Sequence, residues 1–287
     1  MAAITCSLHN GFYTSGEALL ENGADIEVIR RIGLIPQTEG TPLDTAAHYG
    51  RTDVVRLLLE KGANIEAMRS DDGSTPLHIA AYRGHTDVVR LLLEKGANIE
   101  TTRGDTRETP LDTAASFGYT DVVRLLLGKG ANTEATRVNT GGTALDTAAF
   151  NGHTDVVRLL LEKGANIGAT RSDSGVTALH SAALYLRTEI VRLLLEKGAN
   201  IHAASKQAET ALHYVFYDLH PETSYIKDST QLIPTITVLL AHGANILQKH
   251  NNGQTPLDLA EHGGYLEAKQ LFLQHLNKHN LKPPQEA

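Results

Sequence analysis

The apolar positions of this chain fall in a pattern that returns every 34 residues. In Thr86–Glu94 they are Val88, Val89, Leu91, Leu92 and Leu93, with Asp87, Arg90 and Glu94 between and around them. That surface is broader than the single stripe of a surface helix. It predicts a helix buried against neighbours on both sides. The string TDVVRLLLEKGANIE stands unchanged at Thr52–Glu66 and Thr86–Glu100, and near copies begin at Thr120, Thr154 and Thr188. Ahead of each lies a shorter segment such as Thr75–Gly84. There Thr75 predicts a helix cap and Pro76 a first helical position, where a missing N–H costs nothing. Ile79, Ala80 and Ala81 give this helix one small apolar side, which lets another helix approach closely. Gly84 and Gly96 stop the two helices at positions that favour positive φ. Asp87 places an acid at the positive end of the second helix.

A fixed period of this size marks a stack of small units, each burying its apolar face against the next. A stack grows along one axis, so the period overrides the two ordinary domains that 287 residues would otherwise suggest. Helix, turn, helix, glycine, extended loop, then Thr-Pro-Leu-His: this unit resembles the ankyrin repeat, whose signature is T-P-L-H-x-A. The resemblance covers nearly the whole chain. It implies an all-α ankyrin-repeat solenoid of helix-turn-helix units joined by β-hairpin-like fingers. It also implies a concave groove formed by the fingers and the first helices. Units begin near Thr41, Thr75, Thr109, Thr143, Thr177, Thr210 and Thr255. A degenerate first unit follows from aligning Gly23 with Gly62. The expected organisation is one domain over 1–276, with repeats near 1–38, 39–72, 73–106, 107–140, 141–174, 175–207, 208–252 and 253–276. The first and last of these act as caps, and a polar tail covers 277–287.

Three departures from the family pattern are informative. The period is 34 rather than 33 through the middle, with the extra residue between Glu66 and Thr75, which predicts slightly longer fingers. Asp44, Asp112, Asp146 and Asp258 replace the usual histidine, so Thr-x-x-Asp reads as a capping box with Asp reaching back to the cap N–H. The last departure lies in the sixth and seventh repeats. Leu186 stands where other units have Gly50 or Gly84, and Val215-Phe216 where they have Ala-Ala. The seventh repeat also carries an insertion within 218–234, with Pro221 and Pro234, that reads as a loop, functional or disordered.

Scaffold positions are nearly constant from unit to unit, so the variable positions stand out. The two residues after Ala-Ala end the first helix and, by the family resemblance, face the groove. They are His48-Tyr49, Tyr82-Arg83, Ser116-Phe117, Phe150-Asn151, Leu184-Tyr185 and Tyr217-Asp218. Each pair holds one aromatic, in alternating slots, although the chain is only 5% aromatic. Random placement would achieve this about once in a million. Tyr49, Tyr82, Phe117, Phe150, Tyr185 and Tyr217 are therefore candidate partner-binding residues, since aromatics give large contact area at low entropy cost. The competing reading is packing between adjacent first helices.

A second stripe runs through the fingers. Arg69, Arg103, Arg137 and Arg171 recur 34 apart, with Arg30 in the matching place of the first unit. They could grip carboxylates or phosphates of a partner. Nearby Asp71, Asp72, Asp105 and Asp173 could instead neutralise them. A further series, Arg56, Arg90, Arg124, Arg158 and Arg192, follows an acid three residues earlier and reads as helix-surface ion pairs.

Composition narrows the function. A net charge of −7 disfavours a dedicated nucleic-acid binder. Cys6 is the single cysteine, which suits a reducing compartment and leaves no intrachain disulfide. The N-terminus has no signal-peptide pattern and no apolar run spans a bilayer, so a cytoplasmic, non-membrane, monomeric protein is expected. Phosphate-binding loops, metal frameworks and nucleophile elbows are missing from the sequence. The expectation is therefore no catalytic residues, no cofactor and no metal. By the resemblance, His78, His180 and His213 bond between loops. The reading that results is a non-enzymatic scaffold or adaptor holding a protein partner through groove and fingers. A host-directed adaptor of an intracellular bacterium or virus would use the same surface. Nucleic-acid binding through the finger arginines and catalysis in the 218–234 insertion rank below it.

Overall fold

The computed structural model describes residues 30–31, 39–217 and 229–280. The chain divides into two compact units, Met1–Asn139 and Thr140–Ala287. The aligned segments of the first repeat (Asn10-Gly11, Ala18–Leu20, Gly23), Cys6 and most of the insertion lie outside the described residues.

Unit 1 opens with a two-residue antiparallel pair, β1 (Arg30–Arg31) and β2 (Glu39–Gly40). Three helix pairs follow: α1 (Pro42–His48) with α2 (Thr52–Glu60), α3 (Pro76–Arg83) with α4 (Thr86–Glu94), and α5 (Pro110–Phe117) with α6 (Thr120–Gly128). Within the unit each helix packs on its own partner and on the same helix of the adjacent repeat. The sequence dictates this layering. Ala46-Ala47, Ala80-Ala81 and Ala114-Ala115 are fully enclosed, because a methyl group is all that fits between neighbouring first helices. In α4, Val88, Val89, Leu91 and Leu92 are buried, as the doubled apolar face predicts.

Unit 2 continues the plan with α7 (Ala144–Asn151) and α8 (Thr154–Glu162), then α9 (Ala178–Leu184) and α10 (Thr188–Glu196). The seventh repeat breaks it. Its first helix, α11, is a single turn at Ala211–Tyr214. A 3-10 turn at Ser229–Gln231 then leads into α12 (Leu232–Ala241). The end of the insertion, read as loop, is thus helical from Leu232. Pro234 sits in the first turn of α12, where the N–H it lacks has no intrahelical partner. The unit closes with α13 (Pro256–His262) and α14 (Leu266–Lys278). Among the described residues no helix is long and apolar enough to cross a membrane.

The fingers explain the 34-residue period. In the long fingers the Arg69 N–H donates to Ser74 O, Arg103 to Glu108 O and Arg171 to Val176 O, closing four-residue turns. In the following finger Ser205 N–H donates to Glu209 O, closing only three, and there the spacing from Thr177 to Thr210 falls to 33. The same turns are closed again by Gly73 N–H to Arg69 O and Gly175 N–H to Arg171 O, so these are short, tight hairpins.

Gly84 shows why the turn between helices needs glycine. Its φ is +72°, and a Cβ there would lie 2.7 Å from the Tyr119 ring of the next repeat. At the equivalent place in unit 2, Leu186 adopts φ +53° and is buried. A left-handed leucine stores strain of about 1–2 kcal/mol, offset here by apolar burial.

Candidate functional site

Tyr49, Tyr82, Phe117, Phe150 and Tyr185 lie at the ends of the first helices, where an alanine pair carries each helix to its tip; Tyr217 instead follows Val215-Phe216, beyond the end of α11. The alternation of slots has a geometric outcome. In unit 1 the first-slot ring of Tyr82 meets the second-slot ring of Phe117, edge to face, with centroids 4.7 Å apart. In unit 2 the first-slot ring of Phe150 meets the second-slot ring of Tyr185 in the same way at 4.4 Å. Rings in one common slot would not offer edge to face so readily. Tyr82 and Phe117 remain 39% and 45% exposed. Tyr49, Phe150, Tyr185 and Tyr217 are half-buried. Tyr49 contacts the His48 ring at 4.8 Å, and the Tyr217 hydroxyl donates to Glu209 Oε1 at 2.7 Å. Packing between repeats and exposure at the tips therefore coexist.

Two participants at these tips escape a reading of the sequence by slots. Tyr119 occupies the turn position that holds His85 and His153 elsewhere, and its ring stacks on Phe117 at 6.1 Å. Arg83 lies over the Tyr82 ring, 5.2 Å from its centroid. Its Nη2 and Nε reach the His48 imidazole at 2.8 and 3.4 Å. The signal for Tyr119 was present as an aromatic in a histidine slot. For Arg83 there was none, because its contacts run between repeats.

The finger arginines are engaged inside their own units. Arg69 pairs with Asp71 and lies 3.8 Å from Asp72. Arg103 pairs with Glu108 at 2.6 Å and approaches Asp72 at 3.9 Å. Arg137 lies 3.8 Å from Glu108, and Arg171 pairs with Asp146 at 2.7 Å. Their side chains are only 12–28% exposed. Asp71 and Asp72 neutralise as expected. Asp173 does not; it accepts from the Ser174 hydroxyl. Glu108 and Asp146 take its place, and the Asp105 side chain is outside the described residues. Of Arg30, only the backbone in β1 is described.

The Arg171 pair corrects one capping box. Asp44, Asp112 and Asp258 each accept from their cap threonine N–H through Oδ2. Asp146 does not, because its Oδ2 is held by Arg171 and its Oδ1 accepts from Ser181 at 2.6 Å. A guanidinium within reach outcompetes a backbone N–H for a buried carboxylate. The Asp112 box shows the cost of the alternative. Its Oδ1 is buried with no hydrogen-bond partner, and burial raises its pKa to about 6 despite nearby Arg137.

His78 and His180 use both ring nitrogens. Nδ1 accepts from the cap threonine N–H, and Nε2 bonds Glu108 O at 3.0 Å and Glu209 O at 3.1 Å respectively. Nδ1 as acceptor places the proton on Nε2. His213 makes the first contact only, and its Nε2 is buried without a hydrogen-bond partner, so that loop-to-loop bond is not formed. Burial pushes His78 down to about 4 and lowers His180; burial with nearby His250 takes His213 to about 4.

The predicted surface pairs of the second helices also need correction. Among the described residues only Arg192 makes one, with Glu189 at 3.8 Å. Arg56, Arg90, Arg124 and Arg158 follow aspartates instead. The shorter acid, fully hydrated, gains too little from reaching across. An open cleft of ≈ 870 Å³ lies away from the aromatic tips, lined by Leu240, Ile246, Leu271 and His275 among others. Among the described residues no group of three or more His, Cys, Asp or Glu could hold a metal ion.

Comparison with known proteins agrees with this architecture. The family description "Ankyrin repeats (3 copies)" matches residues 1–103, 65–137 and 100–171, and "Ankyrin repeat" matches 174–206. Among solved structures, the ankyrin repeat domain of Bcl-3, a unique member of the IkappaB protein family, is 26% identical with a TM-score of 0.65. That match covers 82% of this chain and 97% of that one. The human ASB11 ankyrin repeat domain is 27% identical with a TM-score of 0.67, covering 80% and 97%. A search of curated proteins returns no match. Ankyrin repeats are generally protein–protein interaction modules. With paired helices, glycine-capped turns and short hairpin fingers at the matched period, this chain belongs to the ankyrin-repeat family.

Proposed function

We propose that this protein is a non-enzymatic scaffold or adaptor that holds a protein partner, with the aromatic tips of the first helices as anchors in each unit. The observation that carries the reading is the exposure of Tyr82 and Phe117 in a chain otherwise poor in aromatics. Pre-stacked rings lose little entropy on binding, so their contact area converts efficiently into affinity. The finger arginines contribute less, because their charge is already matched by carboxylates. That matching also weakens the nucleic-acid alternative.

Replacing Tyr82, Phe117 and Phe150 together with serine tests the proposal. Partner capture, read by pull-down and mass spectrometry against wild type, should be lost, since such anchors can each carry more than ~2 kcal/mol. The thermal melt should move only modestly. A mutant that stays folded and keeps its partners would place binding elsewhere.

A further inference from the structure

We infer that the tips of unit 1 recognise an acidic partner segment: an extended peptide in which a carboxylate adjoins a large apolar or aromatic side chain. The inference rests on the proposed function and gives its partner a chemistry.

The argument starts from Arg83. Every described arginine of the finger series lies beside a carboxylate. Arg83 is exposed, and among the described residues it makes no ion pair. Its contacts are the Tyr82 ring and the His48 imidazole. These contacts aim the guanidinium without cancelling its charge. The tip residues around it, His48, Tyr49, Tyr82, Ser116 and Phe117, include no acid. A guanidinium held over an aromatic ring and against an imidazole has already lost much of its rotamer freedom, and guanidinium binds carboxylate with a planar, two-pronged fit. Beside it, Tyr82, Phe117 and Tyr119 form a ladder of rings in contact, at 4.7 and 6.1 Å. A carboxylate on Arg83 therefore places its neighbouring side chain on Phe117, the most exposed ring of the three.

Charge separates this partner from a nucleic acid. One free guanidinium matches one carboxylate. A nucleic-acid backbone asks for several cations in a row, and the arginine stripe of the fingers is neutralised by carboxylates.

The test uses the full chain and a displayed library of random 12-residue peptides. Recovered peptides should be enriched in Asp or Glu next to an aromatic or large aliphatic residue. In fluorescence anisotropy at 0.1 M salt, Arg83→Gln should weaken them about tenfold or more. Replacing the peptide acid by its amide should weaken wild type equally and should add nothing on Arg83→Gln. A circular-dichroism melt confirms that each protein variant, Arg83→Gln, Tyr82→Ser and Phe117→Ser, stays folded. If acids are not enriched, or Arg83→Gln binds normally while Tyr82→Ser and Phe117→Ser lose binding, this inference fails and the proposed function stands. If binding ignores both Arg83 and the rings, the proposed function fails with it. Recovery of no peptide above an unselected control, or equal competition by an oligo-dT strand, also overturns the inference.

Discussion

The third and seventh repeats start from nearly the same four residues, Thr75-Pro76-Leu77-His78 and Thr210-Ala211-Leu212-His213, and finish differently. In the third, Ala80 and Ala81 are enclosed, and α3 runs eight residues to a left-handed glycine. In the seventh, the same positions hold Val215 and Phe216, and the helix stops after four. Phe216 is buried instead against the rings of Tyr265 and Phe272, at 5.4 and 6.1 Å. The start of a helix is a local matter of caps. Its length here is decided by whether the neighbouring helix leaves room.

Reciprocal exchanges test this most strongly. Phe216→Ala should cost about 3–5 kcal/mol in urea unfolding, because the ring fills space that a methyl group cannot. Ala81→Phe should cost about 1–3 kcal/mol or more through overpacking between first helices. A loss below about 1 kcal/mol for Phe216→Ala would mean that the ring does not hold the seventh repeat together.

Acid separates the two units on a second axis. The pKa of buried His78 is about 4, below its unfolded value, so the fold favours the neutral ring. Its contribution is complete above pH 6.5 and is lost as pH falls towards 4, up to about 3 kcal/mol. His180 and His213 act in the same direction within unit 2. In unit 1 Asp112, raised to about 6, opposes His78, because protonation relieves its burial as pH falls below 6. Hydrogen exchange compared at pH 6.5 and 4.5 should show greater loss of protection in unit 2. Equal loss, or greater loss in unit 1, would break this expectation.

A smaller effect is expected at the turn. Leu186→Gly removes left-handed strain but also a buried side chain, for a net loss of about 1–2 kcal/mol. A gain in stability would show that strain dominates. The smallest contrast lies within one helix. Arg90→Ala should stay within about 0.5 kcal/mol, whereas Leu92→Ala, two residues on, should cost roughly 2–5 kcal/mol. Similar values would mean that α4 buries a different face.

Much of this was readable beforehand because its causes are local and repeated. Caps, glycine turns and the apolar face of α4 each depend on a few neighbouring residues, and the copies averaged away accident. The seventh repeat was readable only as an irregularity. Phe216 announced that the alanine plan had failed, but Tyr265 and Phe272, which receive it, are more than forty residues away. The finger arginines were legible as a stripe but not as pairs. Asp146 and Asp112 occupy the same repeat position, yet Arg171 lies against one at 2.7 Å while the other's Oδ1 has no hydrogen-bond partner among the described residues.

By itself, the sequence determined the unit, its period, where the helices of the regular repeats start and which face is buried. These follow from capping chemistry and from the spacing of valines, leucines and alanines. Only the tertiary structure decided which charges are cancelled and which remain available. An ion pair depends on side-chain reach across a fold, so Glu189 meets Arg192 where shorter aspartates leave their arginines alone. By the same rule Arg171 finds an acid, while Arg83, set on the Tyr82 ring beside His48, finds none among the described residues.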